Sequence, residues 1–176
     1  MLQSANSAFV QTLVVGGNKD TPFNDLEALG WPATSPLDIN HPITTIEVLY
    51  GYVVDALNIT YQLADGTTKL IKHGAQSGGD TAVVHLGADE VLVDVYGKTG
   101  YHFYYDKFLV CQISFVILNT KTAAVRVFGP IGNGDNANIG DLFHNAGTLA
   151  FAGFADNTAI EGGISGLSFI TSKVWE

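Results

Sequence analysis

Apolar side chains recur at every second position in a series of short runs, which is the periodicity of strands with one buried and one solvated face. The runs Ile46-Glu47-Val48-Leu49-Tyr50 and Leu57-Asn58-Ile59-Thr60-Tyr61 flank the turn Gly51-Tyr52-Val53-Val54-Asp55 and predict a hairpin with Asp55 at its rim. A third strand follows at 68–71, and after it a glycine loop, Gly74-Ala75-Gln76-Ser77-Gly78-Gly79-Asp80-Thr81. The same order returns in a second unit. It runs through Val91-Leu92-Val93-Asp94-Val95-Tyr96-Gly97, a longer turn to Asp106, strands at 110–115 and 123–128, and the loop Gly129-Pro130-Ile131-Gly132-Asn133-Gly134-Asp135. A third unit pairs 149–154 with 167–170 but has no third strand or glycine loop of its own. Residues 9–21, with a weakly alternating strand at 9–15, supply both, so the two ends of the chain close one unit together. Three units, each with half a core face, pack as a three-walled prism around their apolar residues. Residues 26–42, punctuated by Pro32, Pro36 and Pro42, read as irregular, and no helix of any length is required.

Composition sharpens this picture. A chain of 176 residues suits one domain spanning 1–176. With 20 Gly, 10 Phe and 7 Tyr beside only 14% charged residues, it suits tight turns between aromatic-rich strands, an all-β protein. The net charge of −9, from 17 acidic and 8 basic residues without a Lys/Arg cluster, gives no footprint for nucleic acid or an anionic membrane surface. Residues 1–11 lack a basic start and a sustained apolar run, and no stretch reaches the ~18 apolar residues of a membrane span. The expectation is a protein that is cytoplasmic or exported without a signal peptide, with no membrane insertion. The lone Cys111 sits in a strand-like run and reads as a small buried hydrophobe.

Several pieces, in order, carry a family resemblance across roughly residues 12–175. They are Gly16-Gly17-Asn18 with Phe23-Asn24-Asp25, the Gly51 to Asp55 turn, Ser77-Gly78-Gly79-Asp80-Thr81, Tyr96-Gly97-Lys98-Thr99-Gly100-Tyr101, the strand at 115–119, and Phe128-Gly129-Pro130-Ile131-Gly132. Together they resemble the mannose-type jacalin-related lectins of the β-prism I family. The resemblance implies a β-prism of three four-stranded Greek-key sheets with pseudo-threefold symmetry. It also implies a sugar site built from a G-x-x-x-D loop facing a Gly-Gly loop, with the family's main site near the C-terminus. Aligned on the repeats, the C-terminal unit has Glu161 at the glycine and Ser165 at the aspartate, with Lys19-Asp20 in the facing loop, and the middle unit has Leu109 at the aspartate. Only the first unit keeps both halves, Gly51 through Asp55 faced by Gly78-Gly79, and some members of the family use this location.

The candidate carbohydrate site is therefore Gly51, Tyr52, Val53, Val54, Asp55, Gly78, Gly79 and Asp80. A carboxylate accepts from two sugar hydroxyls, the amides of Val54 and Asp55 and of Gly79 or Asp80 donate back, and glycine leaves room for the ring. Taken alone, the same residues are a hairpin turn capped by Asp55. The expected partners are mannose- or glucose-containing glycans bound by a homo-oligomer, because a shallow site needs linked copies for avidity. Galactose-preferring relatives have a cut chain whose new amino terminus lies beside the first glycine loop. Here Met1 stands fifteen residues before Gly16, an arrangement that implies mannose. The alternative function is a sugar-blind β-prism serving as an interaction or structural module.

Other chemistry is weaker. Histidines 41, 73, 85, 102 and 144 show no metal-ligand spacing, so neither metal nor cofactor is expected. Asn133-Gly134-Asp135-Asn136-Ala137-Asn138 lacks the ligand alternation of a calcium loop. No nucleophile elbow, P-loop or dinucleotide fingerprint is present, so an enzyme is not expected. Asn58-Ile59-Thr60 matches the glycosylation pattern but lies mid-strand. The densest aromatic run, Tyr101-His102-Phe103-Tyr104-Tyr105-Asp106-Lys107-Phe108, offers core, a subunit interface or a platform for sugar rings.

Overall fold

The structure is a computed structural model that describes residues 7–34, 37–77, 79–132, 140–158 and 162–174. Gly78, Glu161 and the loop at 133–138 lie outside the described residues. The first sheet contains β4 (Ile43–Tyr50), β5 (Val54–Gln62), β6 (Thr68–Gly74) and β7 (Asp80–His85), in the spatial order β6-β5-β4-β7. The second contains β8 (Glu90–His102), β9 (Lys107–Asn119), β10 (Val125–Gly132) and β11 (Asp141–Ala146), in the order β10-β9-β8-β11. In both, three strands meander and a fourth returns beside the first, which is the Greek-key connection. The third sheet repeats this order with the chain cut open. Strands β12 (Ala150–Asp156) and β13 (Gly163–Val174) come from the C-terminal end, and β1 (Ser7–Gln11) and β3 (Thr21–Asn24) from the N-terminal end, arranged β1-β13-β12-β3. A two-residue strand, β2 (Val15–Gly16), also pairs with β13. The expected closure of one unit by both ends of the chain is thus observed.

The inner faces of the three sheets meet in one apolar cluster. Val48, Leu57 and Ile59 enter from the first sheet, Ile113, Phe115 and Ile117 from the second, and Phe151, Ile164 and Phe169 from the third. Phe151 bridges sheets edge to face, its ring 6.5 Å from Phe115 and 6.0 Å from Phe169. Such contacts add to the burial itself.

Two expectations are corrected. Residues 25–28 form one turn of helix, α1 (Asp25–Ala28), where an irregular segment was expected. Its cause is local: Asn24 Oδ1 accepts from the Glu27 amide at 3.2 Å, and Asn24 Nδ2 donates back to Glu27 Oε1 at 3.4 Å. That is a side-chain N-cap reinforced by a side-chain bond, and Leu26, 3% exposed, pins the turn to the core. The strand expected at 9–15 is also interrupted. β1 stops at Gln11, and Thr12 binds Phe169 through both its amide and its hydroxyl before pairing resumes at Val15.

Candidate functional site

The threefold repeat can be superposed through three irregularities in strand pairing. Leu49 pairs with Ala56 but Tyr50 with Val54, Lys98 with Gln112 but Thr99 with Val110, and Phe154 with Gly166 but Ala155 with Ile164. Each bulge leaves one residue out of the ladder: Asp55, Cys111 and Ser165. A glycine lies against the carbonyl of each. A Cβ on Gly74 would fall 2.2 Å from Asp55 O, on Gly132 2.7 Å from Cys111 O, and on Gly16 2.6 Å from Ser165 O. The equivalence of Asp55 with Ser165 read from the sequence therefore stands, whereas the middle unit carries Cys111 at this position and not Leu109. The bulge is what shifts the count, because the longer β8–β9 hairpin hides the register from a comparison of sequence alone.

Around Asp55 the fold assembles a cleft of about 190 Å³ lined by Gly51, Tyr52, Asp55, Ala75, Ser77, Gly79, Tyr105 and Gly162. The Ala75 amide donates to Asp55 O at 2.9 Å, and the Gly74 amide to Asn157 Oδ1 at 2.9 Å, which ties the glycine loop to both neighbouring hairpins. From the sheet surface, Asn58 Nδ2 donates to Gln76 Oε1 at 3.0 Å and to Glu47 Oε2 at 2.7 Å, fixing the loop from its other end. Asn58 is thus buried and engaged, at 1% exposure, which leaves no room for a glycan on it. Gly79 has φ +68°, and a side chain there would run into Tyr50 O at 2.3 Å and approach Asp55 Oδ2 to 3.0 Å. Only glycine takes that conformation easily and leaves the carboxylate open.

Burial pushes the Asp55 carboxyl up to about 6. No hydrogen bond to it is formed among the described residues, so a partly desolvated acceptor faces the cleft without a donor. Of the residues expected in the site, Gly51, Tyr52, Asp55 and Gly79 line this cleft. Val53 and Val54 are fully buried, and their side chains belong to the core. Asp80 pairs with Tyr50 at the start of β7, outside the cleft lining. Sequence reasoning did not place Tyr105 or Gly162 here, since both arrive from other sheets.

The other two positions have lost the acceptor. Cys111 is buried, and burial raises its thiol above the usual range. Ser165 is 2% exposed and donates its hydroxyl to Phe154 O at 3.1 Å. Beside Ser165 lies a larger cleft of about 300 Å³, bounded by Gly16, Gly17, Lys19, Tyr101, Lys107 and Phe108 among others. Size does not make it the better sugar site, because its acids are engaged: Asp106 accepts from the Tyr101 hydroxyl and Asp20 stands beside Lys107. Lys107 binds Asp156 at 2.8 Å and stands 3.9 Å from Asp20. Asp156, an acid near enough in sequence to replace the missing aspartate, also accepts from the amide and hydroxyl of Thr158, and its carboxyl is held at about 2. Among the described residues no cluster of His, Cys, Asp and Glu could hold a metal ion, and no helix is long and apolar enough to cross a membrane.

This combination of three Greek-key sheets and a glycine-faced carboxylate at a hairpin end coincides with a match of the jacalin-like lectin domain family over residues 14–161. The chain belongs to that family. No curated relative matches this lectin by sequence. Solved structures resemble it over nearly their whole length. Banana lectin aligns with a TM-score of 0.69 at 17% identity, covering 96% of this chain and 100% of its own. A mannose-binding jacalin-related lectin from Ananas comosus gives 0.69 at 21% identity, with 95% and 99% covered. Artocarpin in complex with mannotriose gives 0.69 at 20% identity, with 94% and 97% covered. At these identities the likeness establishes the β-prism fold of this lectin.

Proposed function

We propose that this lectin is non-enzymatic and binds mannose- and glucose-type glycans in the cleft of Asp55. The observation that carries the reading is the partly desolvated Asp55 carboxylate, which has no hydrogen-bond donor among the described residues, beside Gly51 and Gly79. A carboxylate bridging the hydroxyls on carbons four and six favours an equatorial 4-hydroxyl, and the axial one of galactose leaves an acceptor lobe unmatched. The mannose ligands named for artocarpin and for the Ananas comosus lectin support the same choice. The His73–Asp25 pair, which has the parts of an acid–base relay, is buried beneath Phe23, consistent with a role in the fold and not in turnover. The chain acts as a homo-oligomer, whose linked sites offset weak single contacts. Sedimentation velocity at micromolar concentration checks this, and a strict monomer removes it.

Calorimetric titration with methyl α-mannoside and methyl α-galactoside tests the ligand class. The mannoside is expected to bind with millimolar affinity, and the galactoside about tenfold more weakly or not at all. Sugar hydroxyls donate to the ionised carboxylate, so affinity is present above the raised Asp55 value and is lost as pH falls through about 6. Binding lowers that value in turn, so a proton is released near pH 6 and the measured heat varies with the buffer. A chain that ignores every sugar at every pH is the sugar-blind module, a reading that the loss of acceptors at Cys111 and Ser165 favours.

A further inference from the structure

The geometry points to Asn157 as a positioning residue for sugar binding: from the third sheet it holds the glycine loop at its working distance from Asp55, and it is itself held by Lys107 of the second sheet. This rests on the proposed site and adds to it a residue outside both of its loops. Two consecutive amides open the glycine loop, and they are shared between two sheets. The Ala75 amide donates to Asp55 O at 2.9 Å, and the Gly74 amide to Asn157 Oδ1 at 2.9 Å. Gly74 is buried, so its amide depends on a protein acceptor, and Asn157 supplies it.

Asn157 is exposed, yet its neighbours in the chain fix it. Asp156 Oδ1 accepts from the amide of Thr158 at 2.9 Å and from its hydroxyl at 2.6 Å, a side-chain turn that sets the direction of the residue between them. Asp156 Oδ2 accepts from Lys107 Nζ at 2.8 Å, which ties this turn to the start of β9. The Asp156 carboxyl stands at about 2 and that of Asp55 at about 6, so the bridge to Lys107 stays charged throughout the range in which Asp55 titrates. At the far end of the β12–β13 connection, two glycines lie against both halves of the cleft. A Cβ on Gly162 would meet that of Ala75 at 3.0 Å, and one on Gly163 would meet Val54 O at 3.2 Å. The cleft of Asp55 is thus braced from the third sheet. A loop held in place beforehand loses less freedom when the sugar arrives, and that difference appears as affinity.

Titration with methyl α-mannoside at about pH 8, where Asp55 is ionised, tests the brace. Well below its melting temperature, Asn157→Ala is expected to bind roughly tenfold more weakly than the parent chain. Asn157→Asp, which keeps an oxygen to accept from the Gly74 amide, is expected to stay within about twofold of it. Asp156→Ala should weaken binding as well, and adding it to Asn157→Ala should change little further, because both act through one bond. Exchange of the Gly74 amide with solvent should be faster in Asn157→Ala, and slower in the parent chain once mannoside is bound. Wild-type affinity in Asn157→Ala while Asp55→Ala fails to bind overturns this inference and leaves the site standing, as does equal weakening by Asn157→Ala and Asn157→Asp. Independent losses from Asp156→Ala and Asn157→Ala overturn the part given to Lys107. Wild-type affinity in Asp55→Ala overturns the site, and this inference with it. If Asn157→Ala does not fold, the parent chain decides: a Gly74 amide whose exchange ignores saturating mannoside overturns the brace.

Discussion

Asp55→Ala is expected to abolish sugar binding while leaving the fold intact. The two halves of that result have one cause. The Asp55 carboxyl is raised to about 6 by burial, so its ionised form is less favourable in the folded chain than in the unfolded one. The sign of the linkage follows: the folded state holds the proton over a range where the unfolded chain has released it, and stability falls as pH rises from the ordinary carboxylate value towards 6. At neutral pH this side chain therefore costs the fold something, and removing it should leave the melting temperature unchanged or raised. Binding moves the other way. Two charge-assisted hydrogen bonds from sugar hydroxyls contribute about 1.5 to 3 kcal/mol each, and a millimolar site has only about 4 kcal/mol in all. Losing them takes affinity out of the measurable range, and Asp55→Asn, which keeps one acceptor, should retain a fraction of it. Calorimetry beside thermal unfolding gives both readings at once. An Asp55→Ala chain that binds normally, or one that loses binding only because it melts early, sinks the assignment.

Much of the architecture was legible because it repeats. Alternation fixed the inner faces of β4, β5, β8, β9 and β12, and a unit of two strands lacking a third strand and a glycine loop pointed to the cut in the third sheet. What the pattern missed has local causes. The helical turn at 25–28 depends on the capping pair Asn24 and Glu27, a three-residue spacing visible in the chain but overshadowed by the prolines that follow. The break after Gln11 follows from Thr12 turning both its amide and its hydroxyl towards Phe169, a pairing that no period-two pattern contains.

The cleft around Asp55 was legible only in part. Gly51, Asp55 and Gly79 could be found because the turn and the glycine loop recur at a fixed spacing. Val53 and Val54 bury their side chains in the core, so any part they take is through the backbone, as was expected of the Val54 amide. The Leu109 assignment failed by two residues because a bulge inserts a position that only the pairing register reveals. Tyr105 and Gly162 were invisible for a different reason. They reach the cleft from the second and third sheets, and contacts between hairpins distant in sequence leave no periodicity to read.

Asp25→Ala should have the opposite profile to Asp55→Ala, a large loss of stability with no direct contact to ligand. Asp25 is fully buried at the first position of α1. It accepts from the Tyr61 hydroxyl and stands 2.5 Å from His73 Nε2, and the Phe23 ring stacks over His73 at 3.7 Å. Tyr61 in turn accepts from the Phe151 amide at 3.2 Å. Burial, reinforced by the charge of Asp25, holds the Tyr61 phenol well above its ordinary range, so it remains a donor wherever the protein is folded. Four elements, α1, β5, β6 and β12, are thus joined through this carboxylate and the Tyr61 hydroxyl. Deleting it strands a buried hydroxyl and a buried imidazole, which costs about 3 to 5 kcal/mol, a large part of the ~5–15 kcal/mol that holds a domain together. Urea unfolding should show a lower midpoint with an unchanged slope. Combining Asp25→Ala with Tyr61→Phe should cost less than the sum of the two, because the second change removes the group that the first leaves unpaired. A change within about 0.5 kcal/mol for Asp25→Ala would show that water replaces the carboxylate and that the network is not a structural node. The position of His73 gives the result a functional reach. It is the residue before Gly74, where β6 ends and the loop facing Asp55 begins, so loosening this junction should weaken sugar binding through the loop as well as lowering the midpoint.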